Sequence, residues 1–255
     1  MNLRLDLAYN GAPFRGFAKQ PDVPTVQGDL ESALSRLFQR QVIIFGAGRT
    51  DAGVHALGQV VNTYDAPEDV DPVKVRDSIN SMCEPHIAVS RCSFAADDFH
   101  ARTSARSRTY VFAILEGDVP DPFLAPITLY HPESLDVDAM NEACGHLLGE
   151  NDFSSFGRVK EGGSPVRNLF EFHVARTGKV VHIRARANGF LQQMVRSLVG
   201  TVIPVGEGRL LPEEMLDVLN AKDRAAAGPV APPHGLCLVS VEYDAGWSRP
   251  FAPFG

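Results

Sequence analysis

The densest concentration of reactive residue types lies in Gly46-Ala-Gly-Arg-Thr-Asp-Ala-Gly-Val-His-Ala-Leu-Gly-Gln-Val60. A glycine-rich turn after an apolar run invites a dinucleotide-binding reading, but the pattern G-x-G-x-x-G fails. Counted from Gly46, its third glycine falls on Asp51, where a carboxylate repels the incoming pyrophosphate. The segment also leads into a strand, Gln59-Val60-Val61-Asn62-Thr63-Tyr64, and not into a phosphate-binding helix. No Gly-Lys-Ser/Thr follows, so a P-loop is excluded as well. What remains is a carboxylate on a rigid loop. The glycines permit unusual backbone angles, and Thr50 can bond nearby backbone groups. An ionised Asp51 can serve there as nucleophile, base or metal ligand; equally, it can do no more than cap a turn.

Metal chemistry needs more ligands than this segment holds. His55 is the one local candidate, and the eight histidines include no HExxH and no cluster. The four cysteines, Cys83, Cys92, Cys144 and Cys237, form no CxxC and read as buried reduced thiols. With 255 residues, 44% hydrophobic and 22% charged, the composition fits a globular protein of one large or two small domains. Charges interrupt every apolar run short of the ~20 residues a membrane helix requires. The start, Met1 to Leu7, alternates where a signal peptide would be continuously apolar. The expected location is cytoplasmic, with no membrane partner.

The formal net charge is −7, which by itself argues against nucleic acid. The distribution argues the other way. No acid falls between Glu171 and Glu207, where Arg176, Lys179, Arg184, Arg186 and Arg196 lie, and Arg102, Arg106 and Arg108 form a second acid-free cluster ending at Glu116. Arginine, much favoured here over lysine, is the better fork for phosphate oxygens. Such clusters can also be solvated strand faces.

The elements that must position these residues follow from periodicity. Leu3, Leu5 and Leu7 alternate as a half-buried strand. Thr25 caps a helix with Val26, Leu30, Ala33, Leu34, Leu37 and Phe38 on one face. Val42 to Phe45 reads as a short strand stopped by Gly46, and another strand runs from about Gly58 to Tyr64. Asp71-Pro72 opens a helix burying Val75, Ile79 and Met82, and Ile87 to Phe94 is a strand. The second half repeats the order: strand 108–115, helix 137–148, strands 169–176 and 180–186 joined through Thr177-Gly178-Lys179. An apolar helix over 190–205, a short helix after Pro212 and a strand over 236–243 complete it. Each half reads β-α-β-β-α-β, the ferredoxin-like unit, so the expected class is α+β with two tandem halves. No residue-level repeat relates them. Many RNA-binding modules use this kind of sheet surface.

Several short motifs share one family order. Gly48-Arg-Thr-Asp-Ala-Gly-Val-His-Ala56 resembles the signature of the tRNA pseudouridine synthase A family. Tyr9-Asn-Gly-Ala-Pro-Phe14, Gly16-Phe-Ala-Lys-Gln20 and Thr25-Val-Gln-Gly28 match its N-terminal pattern. Phe99-His-Ala-Arg-Thr-Ser-Ala105 with Arg108 and Tyr110 follows, then Asp152-Phe-Ser-Ser-Phe156. Asn188-Gly-Phe190 with Met194-Val-Arg196 and Gly200, and Ala231-Pro-Pro-His-Gly235, complete the series. Phe17 and Ala18 replace the usual Trp-Gln, Asn10 the usual Asp, and Gly163 stands where many members have Cys; none of these touches the Asp51 loop.

The resemblance implies an isomerase that converts uridine to pseudouridine in the anticodon stem-loop of tRNA, at positions 38, 39 and 40, without cofactor or metal. It implies the pseudouridine synthase fold, with residues 1–105 carrying the catalytic loop and 106–255 completing a central active-site cleft, in a homodimer. Asp51 then corresponds to the catalytic carboxylate, attacking either C6 of uracil or C1′ of ribose. Arg196 corresponds to its basic partner, Arg49 to a second active-site cation, and Tyr110 to the aromatic residue against the target base. Tyr110 also reads as a core strand tyrosine, and His55 and Phe156 as structural. Arg102, Arg106, Arg184 and Arg186 are candidate phosphate contacts, which position RNA without reading its sequence. The competing readings are a non-catalytic tandem RNA-binding module, which has no need of Asp51, and a nucleotide-dependent oxidoreductase, which the failed glycine pattern disfavours.

Overall fold

A computed structural model describes residues 1–244 and 246–247. The chain divides into two compact units, Met1–Arg108 with the segment from Cys237 onward, and Thr109–Leu236. The elements run β1 (Leu3–Tyr9), α1 (Val26–Phe38), β2 (Phe45–Gly46), β3 (His55–Thr63), α2 (Pro72–Cys83), β4 (Ile87–Phe94) and β5 (Ser107–Glu116). They continue as β6 (Leu129–His131), α3 (Val137–Gly145), β7 (Gly149–Asp152), β8 (Val166–Thr177) and β9 (Val180–Ala187). Last come α4 (Met194–Gly206), α5 (Glu214–Ala221), β10 (Leu236–Tyr243) and β11 (Gly246–Trp247). Helices and strands are mixed in both units, and most strand pairs within each are antiparallel.

In the first unit the strand order is β4-β1-β3-β10. β1 is antiparallel to β3 and β4, and β10 runs parallel to β3 with Cys237 opposite His55. By compactness the segment from Cys237 onward groups with this unit, while the sequence reading counts it with the half beginning at 106; of that half, residues 245 and 248–255 lie outside the described residues. α2 packs on β4 and α1 lies beside α2. Thr25 and Asp71 cap these helices through the Gly28 and Val73 N–H groups. The core holds Leu3, Leu5, Leu7, Leu30, Leu34, Val61, Val75 and Ile79, each contributing about 1.5–3 kcal/mol by burial.

Three local expectations change. β1 is buried on both faces, because Asp6 lies under the Arg4 guanidinium (Nε–Oδ1 2.8 Å), which itself stacks 4.8 Å from the Tyr243 ring centroid. Met82, in the last turn of α2, is 38% exposed. The run Val42 to Phe45 contributes only Phe45 to a strand. The Val42, Ile43 and Ile44 N–H groups donate to the side chains of Ser35 (2.9 Å), Asp65 (3.0 Å) and Glu31 (3.3 Å), so no ladder is available to them.

In the second unit the order is β5-β9-β8-β7, with β6 parallel to β5. β8 and β9 form the expected hairpin, with Thr177 opposite Val180 and Gly178 at φ +60° in the turn. α3 packs on β8 and α4 on α3. α3 ends at Gly145, short of 148, and α4 begins at Met194, four residues later than periodicity suggests. The cause is backbone: Gln193 adopts φ +63°, and Gln192 bridges to Arg158 outside the helix. β6 and β7 are additional short strands.

Candidate active site

Asp51 sits on the turn between β2 and β3, half-buried, with the Val54 N–H donating back to its carbonyl (3.2 Å). Gly53 holds φ +79°, which a side chain would strain. The backbone around the carboxylate is fixed at three points. Gln59, fully buried on β3, gives its amide N–H to the Gly48 carbonyl (2.9 Å) and accepts from the Gly48 N–H (3.3 Å). Thr50 shares a 2.8 Å hydrogen bond with the Tyr9 hydroxyl, and its carbonyl accepts from the Phe17 N–H (3.0 Å). Arg108 donates through two nitrogens to the Ala47 carbonyl (3.2 and 3.0 Å). Phe17 is buried and tilted against Tyr9, the ring centroids 6.3 Å apart. The Gly11 N–H donates to His55 Nδ1 (3.1 Å), giving His55 a positioning role between β1 and β3.

Tyr9, Gln59 and Arg108 are therefore the supports that sequence reasoning left without a role in this loop. Tyr9 and Arg108 stand within quoted motifs; Gln59 follows Gly58 with nothing in its spacing to mark it. Thr50 bonds a side chain and not the local backbone. Arg49 is exposed on the same loop.

In the second unit Tyr110 is buried on β5, edge-on to Phe190 at 5.3 Å. Arg196 lies in the first turn of α4. Its Nε donates to the Ala231 carbonyl (2.6 Å) while its own carbonyl accepts from the Ala231 N–H (3.0 Å). This strap needs Gly200, because a Cβ there would stand 1.7 Å from the Pro229 carbonyl oxygen. Phe156 is wholly buried, tilted against Phe153 at 6.2 Å.

The basic clusters are less bare than their sequence windows imply. Pairing of β8 with β9 sets Glu171 opposite Arg186, and its carboxylate takes both Arg184 (3.1 Å) and Arg186 (2.7 Å). Arg176 forks onto Glu116 through Nε and a terminal nitrogen, both at 2.9 Å. Arg106 forks onto Asp244 (2.6 and 2.8 Å), while Arg102 is exposed.

The thiols are poor competitors for the chemistry. Only Cys144 is buried, the other three being half-buried against the expectation; burial still pushes Cys83 up to about 11 and Cys92 and Cys237 up to about 12, and raises Cys144 as well, so none is a thiolate near neutrality. Among the described residues no group of three metal-ligating side chains gathers, and no helix is long and apolar enough to cross a membrane.

A braced glycine turn that presents one carboxylate, with arginine-bearing strands and helices in both units, is compatible with the class of enzymes that work on a polyanion by carboxylate chemistry. The comparisons narrow that class. The family described as tRNA pseudouridine synthase matches residues 8–103 and 143–244, and the chain belongs to it. A relative from Rhodopseudomonas palustris named tRNA pseudouridine synthase A is 42% identical over 242 residues, covering 94% of this chain and 98% of the relative. One of the same name from Roseobacter denitrificans is 41% identical over 246 residues, 94% of each. Another from Burkholderia mallei is 40% identical over 256 residues, covering all of this chain and 94% of the relative.

Proposed function

We propose that this chain isomerises uridine to pseudouridine in the anticodon stem-loop of tRNA, at positions 38 to 40, with Asp51 as the nucleophile. The observation that carries the reading is the braced Asp51 turn, whose supports Gln59, Tyr9 and Arg108 all lie within this unit. The N1–C1′ bond breaks, the uracil turns, and C5 bonds to C1′, with the C5 proton lost and one gained at N1. Atoms and oxidation state are conserved, so the reaction calls for no cofactor. Attack on C6 or on C1′ needs an ionised carboxylate whose backbone does not move during the step, because preorganisation supplies the orientation. Arg196 is the active-site guanidinium, Arg49 a second cation for the nucleotide, and Tyr110 the ring against the target base; these roles rest on the family motifs. A stem uridine must first leave the stack, at a cost of about a few kcal/mol, and Arg102, Arg106, Arg184 and Arg186 hold the phosphates meanwhile.

Two tandem ferredoxin-like halves and a cytoplasmic homodimer belong to the same proposal. The order β4-β1-β3 with β2 also on β3, all antiparallel, supports the ferredoxin-like reading of the first unit. The test is Asp51→Asn. A turn cap tolerates Asn almost as well as Asp, whereas a nucleophile does not. Folding and tRNA binding are expected to persist while single-turnover pseudouridine formation disappears. Substantial conversion by Asp51→Asn, with deamidation excluded by mass spectrometry, would overturn the assignment.

A further inference from the structure

We propose that Phe45, Tyr64 and His100 form a stacking platform for an unpaired base of the RNA substrate, with Arg102 at its side for that nucleotide's phosphate. The inference rests on the tRNA-modifying reading above and adds a binding site to it. Phe45 lies opposite Asn62 in the β2–β3 pairing, so Tyr64, two residues further along, shares its face. The Phe45 ring centroid is 5.8 Å from that of Tyr64 and 4.8 Å from that of His100. Three rings in contact are not the scattered apolar residues of an ordinary surface, yet Phe45 and Tyr64 remain 36% and 41% exposed.

Two of the rings are pinned from behind. The Tyr64 hydroxyl donates to the Phe99 carbonyl (2.9 Å), and His100 Nδ1 accepts from the Arg102 and Thr103 N–H groups (3.1 and 3.4 Å). A base that stacks on them meets rings already ordered, which lowers the entropy cost of binding. Asp65, beside Tyr64, turns its carboxylate to the Ile43 N–H (3.0 Å). Arg102 is exposed, and its carbonyl accepts from Arg108 (2.6 Å), the same guanidinium that holds Ala47 at the base of the Asp51 loop. Flat π-faces near an exposed arginine, whose backbone N–H is bonded to the His100 ring, match a nucleotide, an aromatic base with an anionic phosphate, and base–aromatic stacking is tolerant of sequence. Continuity through Phe45, Gly46 and Ala47 joins this surface to the proposed catalytic loop.

The test uses the full chain and unmodified tRNA. Phe45→Leu keeps apolar volume but removes the π-face, and the tRNA Kd is expected to rise about 5- to 100-fold, the range of one lost stacking contact. Phe45→Trp, made with Trp247→Phe so that it carries the single indole, is expected to keep its affinity and to lose emission as tRNA saturates. Melting temperature reports the fold of each variant. Unaltered Kd in Phe45→Leu, or indole emission that saturating tRNA does not move, overturns the platform. A change in sedimenting mass with unaltered tRNA affinity would assign the surface to a second copy, and overturns it too. Failure of the wild type to form pseudouridine in the same tRNA would count against the enzymatic reading, while the binding arms still decide the platform.

Discussion

Arg196 shows how one side chain carries two kinds of consequence. Its Nε bond to Ala231 is structural and joins α4 to the segment after Pro229, whereas the role proposed for it toward Asp51 is chemical. A guanidinium set beside a carboxylate favours its ionised form. Arg196→Leu is expected to lower single-turnover pseudouridine formation by at least about 100-fold, the loss typical of a removed charge-stabilising group. Arg196→Lys keeps the charge but not the planar fork, and is expected to retain part of the rate. Both variants lose the Nε bond to Ala231 while the Ala231 N–H bond to the backbone survives, so a structural role lowers melting temperature equally in the two. Near-normal turnover in Arg196→Leu would remove Arg196 from the chemistry.

At the scale of elements, the Asp51 turn depends on β3 as much as on its own glycines. Gln59→Leu leaves the Gly48 N–H and carbonyl without their buried partner, a cost of about 1–3 kcal/mol. The expected result is a lower denaturation midpoint and a reduced single-turnover rate with tRNA affinity retained; a rate equal to wild type would show that the turn is braced well enough without Gln59. A second tie joins β6 to the end of α4, where His131 Nε2 meets Glu207 (3.0 Å) and Nδ1 meets the Glu133 carbonyl (2.7 Å). Burial alone would lower the His131 pKa, but Glu207, the Glu133 carbonyl and the charge of Glu116 outweigh it and raise it above 6.5. A raised folded pKa stabilises fully below the ordinary value near 6.5 and the gain is lost as pH rises through the folded value. Stability is therefore expected to fall by up to about 1 kcal/mol across that window, and His131→Gln to flatten the profile; an unchanged slope would dismiss the tie. The glycines of the Asp51 turn were legible as local signals, and so were α1, α2 and the β8–β9 hairpin, whereas Thr50 bonds the distant Tyr9 hydroxyl and not its local backbone. Gln59 was not, since its partner lies eleven residues back across a turn. The short β2 and the late start of α4 were hidden as well, because side-chain acceptors and a left-handed Gln193 override periodicity.

For the whole molecule the question is how a chain of net charge −7 binds a polyanion. Sequence windows suggested bare arginines, and long-range pairing changes that account: Glu171 is shared by Arg184 and Arg186, and Asp244 takes Arg106. Such partly solvated pairs are worth ~0–1 kcal/mol each, so they yield readily to phosphate while reducing the field that attracts it. Two arginines against one carboxylate still leave a net positive charge on the β8–β9 hairpin. Binding of tRNA is thus expected to weaken with salt, each phosphate contact adding about −0.7 to −0.9 to the slope of log K against log salt. Glu171→Gln releases both guanidiniums and should tighten tRNA binding at low salt and steepen that slope, with little change in melting temperature. Arg184→Glu should do the reverse. Phosphate contact and a merely solvated strand face part company here: a solvated face predicts that neither substitution moves the slope, and equal slopes for wild type, Glu171→Gln and Arg184→Glu would take this hairpin out of the RNA-binding surface.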